Sequence, residues 1–134
     1  MSVWGIGAYY SGAIKKDKTA DFINSNCAFI GWSKTEAPPL HRMLDSIKIG
    51  DIIYIKSFVP RNKRLTIKAI GIVTNTKKIH NNSLGTGIEV KWKSGLVPFN
   101  IGVSPAMFTN NVYNNSLYEE FNEEILHQII NQLI

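Results

Sequence analysis

The segment IKIGDIIYIKSFVPRNKRLTIKAIGIV, residues 47–73, decides the fold because it joins two strand signals through a basic connection. Gly50 and Asp51 form a turn signal, and residues 52–58 are rich in β-branched and aromatic side chains. Residues 65–73 alternate apolar with polar side chains before they end in IGIV. We therefore predict two adjacent strands, joined by a connection whose cations suit an anionic ligand.

The composition is that of one globular domain of modest size. The chain has 134 residues, 44% of them hydrophobic, and at this length a core forms without metals or disulfides. The lone cysteine, Cys27, excludes an internal disulfide framework, and the sequence has no CxxC motif or Cys/His cluster for zinc. It begins without a cationic leader and contains no apolar run long enough to cross a bilayer. We expect residues 1–134 to form a single soluble domain in the cytoplasm.

The charge of the chain is positive and unevenly distributed. Fifteen Lys and Arg residues stand against ten Asp and Glu, and four of the acids fall in the segment 119–124. Residues 56–93 hold nine basic residues and one acid, Glu89. Solubility alone is a sufficient reason for a moderate net charge. The concentration of cations in the middle of the chain nevertheless favours a phosphate-bearing partner.

The segments before the central pair predict two strands and two helices. Residues 2–9 and 27–32 have the composition of strands, and between them Asp17 suits the N-cap of a short helix. Pro39 suits the first turn of a second helix, on which His41 is expected to lie at the surface.

The segments after the central pair predict loops, a hairpin and a last helix. Residues 74–84 and 110–115 are polar and rich in turn formers, and residues 87–92 and 96–101 predict a second antiparallel pair. The order of elements favours an α+β fold, with a curved, mostly antiparallel sheet or partial β-barrel closed by helices. The last helix is predicted to start from a cap at Ser116 with Glu119 in capping-box register, and its buried stripe is Leu117, Phe121, Ile125, Ile129 and Leu133.

Three features occur in a recognisable order: an opening strand with Trp4, the GWS of residues 31–33, and a helix followed by IKIGDIIYIKS and then by AIGIV at 69–73. This order resembles the PUA-like superfamily and, within it, the EVE-like domains and similar domains of modification-dependent restriction proteins. The resemblance covers most of residues 1–101, and the sequence after Ile101 matches no pattern of these families. It implies a partial β-barrel that takes a base, often a modified base flipped out of DNA or RNA, into an aromatic-lined pocket.

Aromatic side chains are the candidate base contacts, because a flat ring stacks on any base while hydrogen bonds select among bases. The same residue types in short apolar runs more often belong to the core. Serine hydroxyls offer donors to base edges, although strand-end capping is an equal alternative for them. The predicted base-binding residues are Trp4, Tyr9, Tyr10, Trp32, Ser33, Lys56, Ser57 and Phe58.

Cations of the central connection and of the preceding helix are the candidate phosphate contacts, with a merely solvated surface as the alternative. Asp51 is expected to stabilise its turn rather than to bind a ligand. The predicted phosphate-binding residues are Arg42, Arg61, Lys63 and Arg64.

Catalysis has one candidate motif, Glu89-Val90-Lys91, which has the E-x-K form of half of a metal-dependent nuclease site. That chemistry needs a second acid to share the metal, and no acid lies between Asp51 and Glu89. Cys27 has no nearby histidine and is expected to pack inertly. We therefore predict a non-enzymatic module that binds DNA or RNA, without a metal or cofactor. The alternatives are a binder of a free nucleotide or cyclic-nucleotide signal, a nuclease, and a protein-interaction module that uses the acidic last helix.

Overall fold

A computed structural model describes residues 1–10, 16–59, 64–102 and 116–134, with the backbone alone at Phe58 and Val59. These residues form an α+β fold with three helices and a mixed, mostly antiparallel sheet of seven strands. The helices are α1 (Thr19–Ser25), α2 (Pro38–Ser46) and α3 (Glu123–Leu133). The strands are β1 (Val3–Gly7), β2 (Tyr9–Tyr10), β3 (Lys16–Asp17), β4 (Cys27–Ile30), β5 (Ile52–Val59), β6 (Arg64–Asn81), β7 (Gly85–Trp92), β8 (Phe99–Gly102) and β9 (Leu117–Glu119).

The predicted central pair is confirmed. Strands β5 and β6 are antiparallel, with Ile52 opposite Ile72 at one end and Val59 opposite Arg64 at the other. The sheet continues outward in the order β4, β7, β6, β5, β1, β9, and β8 also pairs with β6. Strands β2 and β3 form a separate two-stranded ribbon.

Successive side chains of a strand point to opposite faces of the sheet, and this alternation divides the apolar side chains between two hydrophobic clusters. Ile53 and Ile55 belong to the cluster that contains Phe22 of α1 and Leu44 of α2. Ile52 and Tyr54 belong to the cluster that contains Ile125 and Ile129 of α3. Alternate residues of β5 thus belong to clusters that contain different helices. Full burial of each such side chain contributes about 1.5–3 kcal/mol to the stability of the fold.

Strand β1 lies between β5, to which it is parallel, and β9, to which it is antiparallel. The ring of Tyr118 from β9 crosses β1 at Gly5, where a Cβ atom would lie 2.5 Å from the ring. A glycine is therefore required at this position. Gly5 weakens the preference of β1 for a strand, but it allows the Tyr118 ring of β9 to pack against β1.

Two predictions about the segments after the central pair are wrong. Residues 74–84 are not a surface loop, because β6 continues to Asn81 and pairs with β7. The segments 87–92 and 96–101 do not pair with each other, because β7 and β8 both pair with β6, one after the other along its length.

The predicted start of the last helix is also wrong. Residues 117–119 form β9, and α3 begins at Glu123, where the Asn122 side chain accepts a hydrogen bond from the Ile125 N–H at 3.1 Å. Among the described residues, the sheet ends at β4 and β9 and is not closed into a barrel. No helix in this part of the chain is long and apolar enough to span a membrane.

Candidate ligand cavity

A cavity of about 240 Å³ lies where β1, β2 and the segment after β4 meet. Two of its aromatic residues stand largely in solvent, with Tyr9 60% exposed and Trp32 51% exposed. Sites for drug-sized ligands measure roughly 300–1,000 Å³, so this volume suits one ring system. The residues that line the cavity are Gly7, Tyr9, Tyr10, Ile30, Gly31, Trp32, Glu36 and Ser116.

Tyr10 forms the fixed wall of the cavity. Its hydroxyl donates to the Leu84 carbonyl, and its ring packs edge-on against Phe22 with 6.3 Å between centroids. A Cβ atom at Gly31 would lie 2.8 Å from the Tyr10 ring, so the glycine leaves the space that the ring needs. Burial raises the pKa of Tyr10, which keeps its hydroxyl a neutral donor. The ring therefore has a defined position before any ligand arrives.

Trp32 is held through its backbone rather than through its ring. The Trp32 carbonyl lies 2.8 Å from Nε2 of His41, which is buried on α2. The prediction that His41 is a surface residue is wrong, and its role here is to anchor the segment that follows β4. Because the anchor is a backbone contact, the indole ring remains available to a ligand.

Glu36 places an ionised carboxylate at the cavity. The Ser33 N–H donates to Glu36 Oε1 at 3.0 Å, and the Glu36 N–H donates to Ser33 Oγ at 3.1 Å. The hydrogen bonds from Ser33 lower the pKa of Glu36 below its ordinary value. Ser33, a predicted base contact, thus positions an acid that does line the cavity.

Lys56 lies beside the cavity without lining it. Its Nζ is 4.0 Å from the point where a side chain on Gly7 would begin, and 5.7 Å from the centroid of the Tyr118 ring. Burial lowers the pKa of Lys56 to about 8. Neither salt bridge among the described residues involves this ammonium group.

Trp4 does not fit the role of a base contact that the sequence predicts. It is 5% exposed, and its indole N–H donates to Asp51 Oδ2 at 3.0 Å. The backbone N–H groups of Ser2 and Lys48 donate to the same carboxylate. Burial of Asp51 opposes its ionisation, but these three hydrogen bonds outweigh that effect, and the pKa lies below the ordinary value. The prediction that Asp51 stabilises the turn is confirmed, and Trp4 is one of its donors.

Ser57, another predicted base contact, is not among the described lining residues. Ser57 is on β5 opposite Thr66, and the side chain of Phe58 lies outside the described residues. Of the predicted base-binding set, the cavity brings together Tyr9, Tyr10 and Trp32.

Two of the predicted phosphate contacts are described, and they lie on different elements. Arg42 is exposed on α2 and Arg64 is exposed at the start of β6, whereas Arg61 and Lys63 lie outside the described residues. Within the basic segment, Lys68 pairs with Asp17 and Lys78 pairs with Asp45 at 3.3 Å.

Two exposed lysines that the sequence analysis did not select flank the cavity. Lys34 lies in the turn between Trp32 and Glu36, and Lys16 is paired with Tyr10 across the β2–β3 ribbon. Lys34 belongs to a segment that supplies lining residues, and Lys16 lies on β3, which pairs with the lining residues Tyr9 and Tyr10. They place positive charge next to the cavity, which the central connection was expected to provide.

The nuclease motif has a structural partner in place of a metal site. Glu89 Oε1 accepts a hydrogen bond from the Thr74 hydroxyl at 2.7 Å on the neighbouring strand. Within residues 1–10, 16–59, 64–102 and 116–134, no group of three or more His, Cys, Asp or Glu side chains is arranged to hold a metal ion.

Glu36 is the functional candidate that the sequence analysis missed, although its signal was present. The spacing Ser33-Lys34-Thr35-Glu36 is the S-x-x-E pattern in which the serine and the acid bond reciprocally to each other's backbone. This pattern fixes a carboxylate four residues after an exposed tryptophan. The remaining lining residues, among them Ile30 and Ser116, come together through the tertiary fold and carry no local signal.

The comparisons with known proteins leave the family open, since no protein-family model and no curated protein matches the chain.

Proposed function

We propose that this chain is a non-enzymatic module of PUA-like, EVE-like type that binds nucleic acid and takes one base into the cavity lined by Tyr9, Tyr10 and Trp32. The observation that carries the proposal is the convergence of these three rings, predicted separately from the sequence, on one hollow. Alanine substitution of a stacking aromatic costs roughly 1–3 kcal/mol per base in single-strand binders.

The walls of the cavity support insertion of a base. Tyr10 is held by the Leu84 carbonyl and by Phe22, whereas Tyr9 and Trp32 are exposed. A base that enters would meet the Tyr10 ring already in position, which reduces the conformational entropy lost on binding.

The lysines around the cavity support contact with the backbone of the nucleic acid. Lys34 is exposed on the segment that carries Trp32, and Lys16 is exposed on β3, which pairs with the strand that carries Tyr9 and Tyr10. Each phosphate contact releases counterions, so the proposal requires an affinity that falls as salt is added.

A fluorescence-anisotropy titration tests the proposal. Labelled single-stranded and duplex DNA and RNA are titrated with the protein from about 50 to 200 mM salt. We expect salt-dependent binding that weakens by about 10- to 100-fold in the Tyr9→Ala, Trp32→Ala double variant. Phe121→Ala, which removes an aromatic ring that is 74% exposed and outside the cavity lining, is the matched control. Absence of binding at low salt, or equal losses in both variants, would overturn the proposal.

A free-nucleotide binder is the second candidate, and the small volume of the cavity favours it. Calorimetry with mononucleotides separates the two. One-to-one binding of a mononucleotide by a protein that does not bind any of the polymers would establish the second candidate and remove the first.

A further inference from the structure

Among the described residues that line the cavity, the charged one is an acid. Glu36 shares the cavity with three aromatic rings, and neither salt bridge among the described residues involves it. This is unexpected in a basic protein, because a pocket for a phosphate or another anion would present the opposite charge.

The Glu36 carboxylate is both ionised and fixed. Oε1 accepts the Ser33 N–H at 3.0 Å, and the hydrogen bonds from Ser33 lower the pKa of the group, so it is charged at neutral pH. Ser33 therefore positions the carboxylate, and the exposure of Glu36 leaves it accessible to a ligand. A charge held in this way can favour a ligand without first losing a salt-bridge partner.

The aromatic rings favour the same sign of ligand charge. The face of a tyrosine or tryptophan ring is electrically negative, and a cation over it gains roughly 0.5–1 kcal/mol at exposed sites and about 2 kcal/mol or more when it is desolvated. Tyr9 and Trp32, both exposed, line the same cavity as the carboxylate. Rings that stack a neutral base would stack a positively charged one more strongly.

We propose that the cavity prefers a base whose ring carries a positive charge, the product of methylation at a ring nitrogen, with Glu36 as the residue that determines this specificity. The inference rests on the proposed function and narrows its ligand. Adenine methylated at N1 is a cation at neutral pH, whereas adenine methylated at N6 has the same number of non-hydrogen atoms and is neutral. The pair therefore separates charge from size.

Lys16, Lys34 and Lys56 are the nearby charges that oppose such a ligand, and none of them is among the lining residues. The Lys56 ammonium group lies against Gly7, which lines the cavity, but it is directed over the Tyr118 ring, and Tyr118 does not line the cavity. The carboxylate of Glu36 belongs to the lining itself. We therefore expect the acid to set the preference.

The test compares three short single-stranded oligonucleotides that differ in one central base: adenine, N6-methyladenine and 1-methyladenine. At neutral pH we expect the wild-type protein to bind the 1-methyladenine strand about 10-fold more tightly than its neutral isomer. Glu36→Gln keeps an acceptor for the Ser33 N–H but removes the charge, and it should reduce this ratio to within about twofold of one. Glu123→Gln, at an exposed acid on α3 outside the lining, should leave the ratio unchanged.

The outcomes separate this inference from the proposed function. If all three strands bind alike and binding still depends on Tyr9 and Trp32, the preference for a cation is wrong and the base-binding proposal stands. If the wild-type ratio survives in Glu36→Gln, the assignment of Glu36 is wrong. If no strand binds, or if binding does not depend on the two aromatic residues, both proposals fail. The wild-type comparison holds even if the variant folds poorly.

Discussion

Trp4 and Trp32 occupy similar places in the sequence and opposite places in the structure. Each belongs to a short segment of apolar and glycine residues, and each is a predicted base contact. Trp4 is 5% exposed with its indole N–H on Asp51, whereas Trp32 is 51% exposed and is held by its backbone carbonyl. The Trp4 ring is part of the scaffold, and the Trp32 ring is available to a ligand.

The difference between the two tryptophans lies in their partners, which are remote in the sequence. Asp51 is 47 residues from Trp4, and the parallel pairing of β1 with β5 brings them together. Trp32 follows the last residue of β4 by two positions and is followed by a turn that Glu36 closes. Trp4, inside a strand of the main sheet, is thus committed to a cluster, and Trp32, just past a strand end, remains free.

The largest effect that we predict compares the two rings directly. Trp4→Ala should lower the free energy of unfolding by about 3–5 kcal/mol, because it leaves a cavity and removes one donor from the buried Asp51 carboxylate. Trp32→Ala should lower it by less than about 1 kcal/mol, since half of the ring is already in solvent. Urea denaturation followed by circular dichroism measures both, and equal losses would show that the two sites are not of different kinds.

The sequence allowed the centre of the sheet to be predicted because β5 is rich in β-branched and aromatic side chains and the first half of β6 alternates apolar with polar residues. The second half of β6 was missed, since the segment from Thr74 to Asn81 is polar and largely exposed or half-buried although it is paired. Its register shifts near Asn75, which disrupts the alternation further. Pairing with β7, rather than the local composition, makes it a strand.

The cavity was predictable in part for a related reason. Tyr9, Tyr10 and Trp32 were selected by residue type, which limits the candidates for stacking. The sequence could not distinguish them from Trp4, because burial depends on which strands become neighbours. Glu36 was overlooked because an acid is not expected in a site for nucleic acid, although its pattern with Ser33 is local.

A smaller predicted effect on stability concerns Lys56, which lies beside the cavity. Burial lowers its pKa from 10.5 to about 8, so the folded protein pays to keep this ammonium charged below pH 8. Lys56→Met should therefore stabilise the protein near pH 7 by up to about 3 kcal/mol. Between pH 8 and 10.5 the unfolded chain binds more protons at this group than the folded chain, so the wild type gains stability and the difference should shrink. Denaturation at several pH values measures it.

Lys91→Met is the matched control, because Lys91 is exposed on β7. The Lys91→Met variant should not be stabilised near pH 7, and its stability relative to the wild type should not change between pH 8 and 10.5. If the Lys56→Met difference stays constant from pH 7 to 10.5, Lys56 is not desolvated beside Gly7, and the description of that edge of the cavity is wrong.

The indole N–H signals of the three tryptophans test the central claim most directly. Trp4 donates to Asp51, Trp92 donates to the Cys27 carbonyl at 3.2 Å, and Trp32 lies at the cavity. In a ¹⁵N-resolved NMR titration with the tightest-binding of the three oligonucleotides, we predict that the Trp32 signal moves with saturation while those of Trp4 and Trp92 stay within line width. A Trp32 signal that does not move when the oligonucleotide is bound, or equal movement of all three, would contradict a ligand site at this cavity.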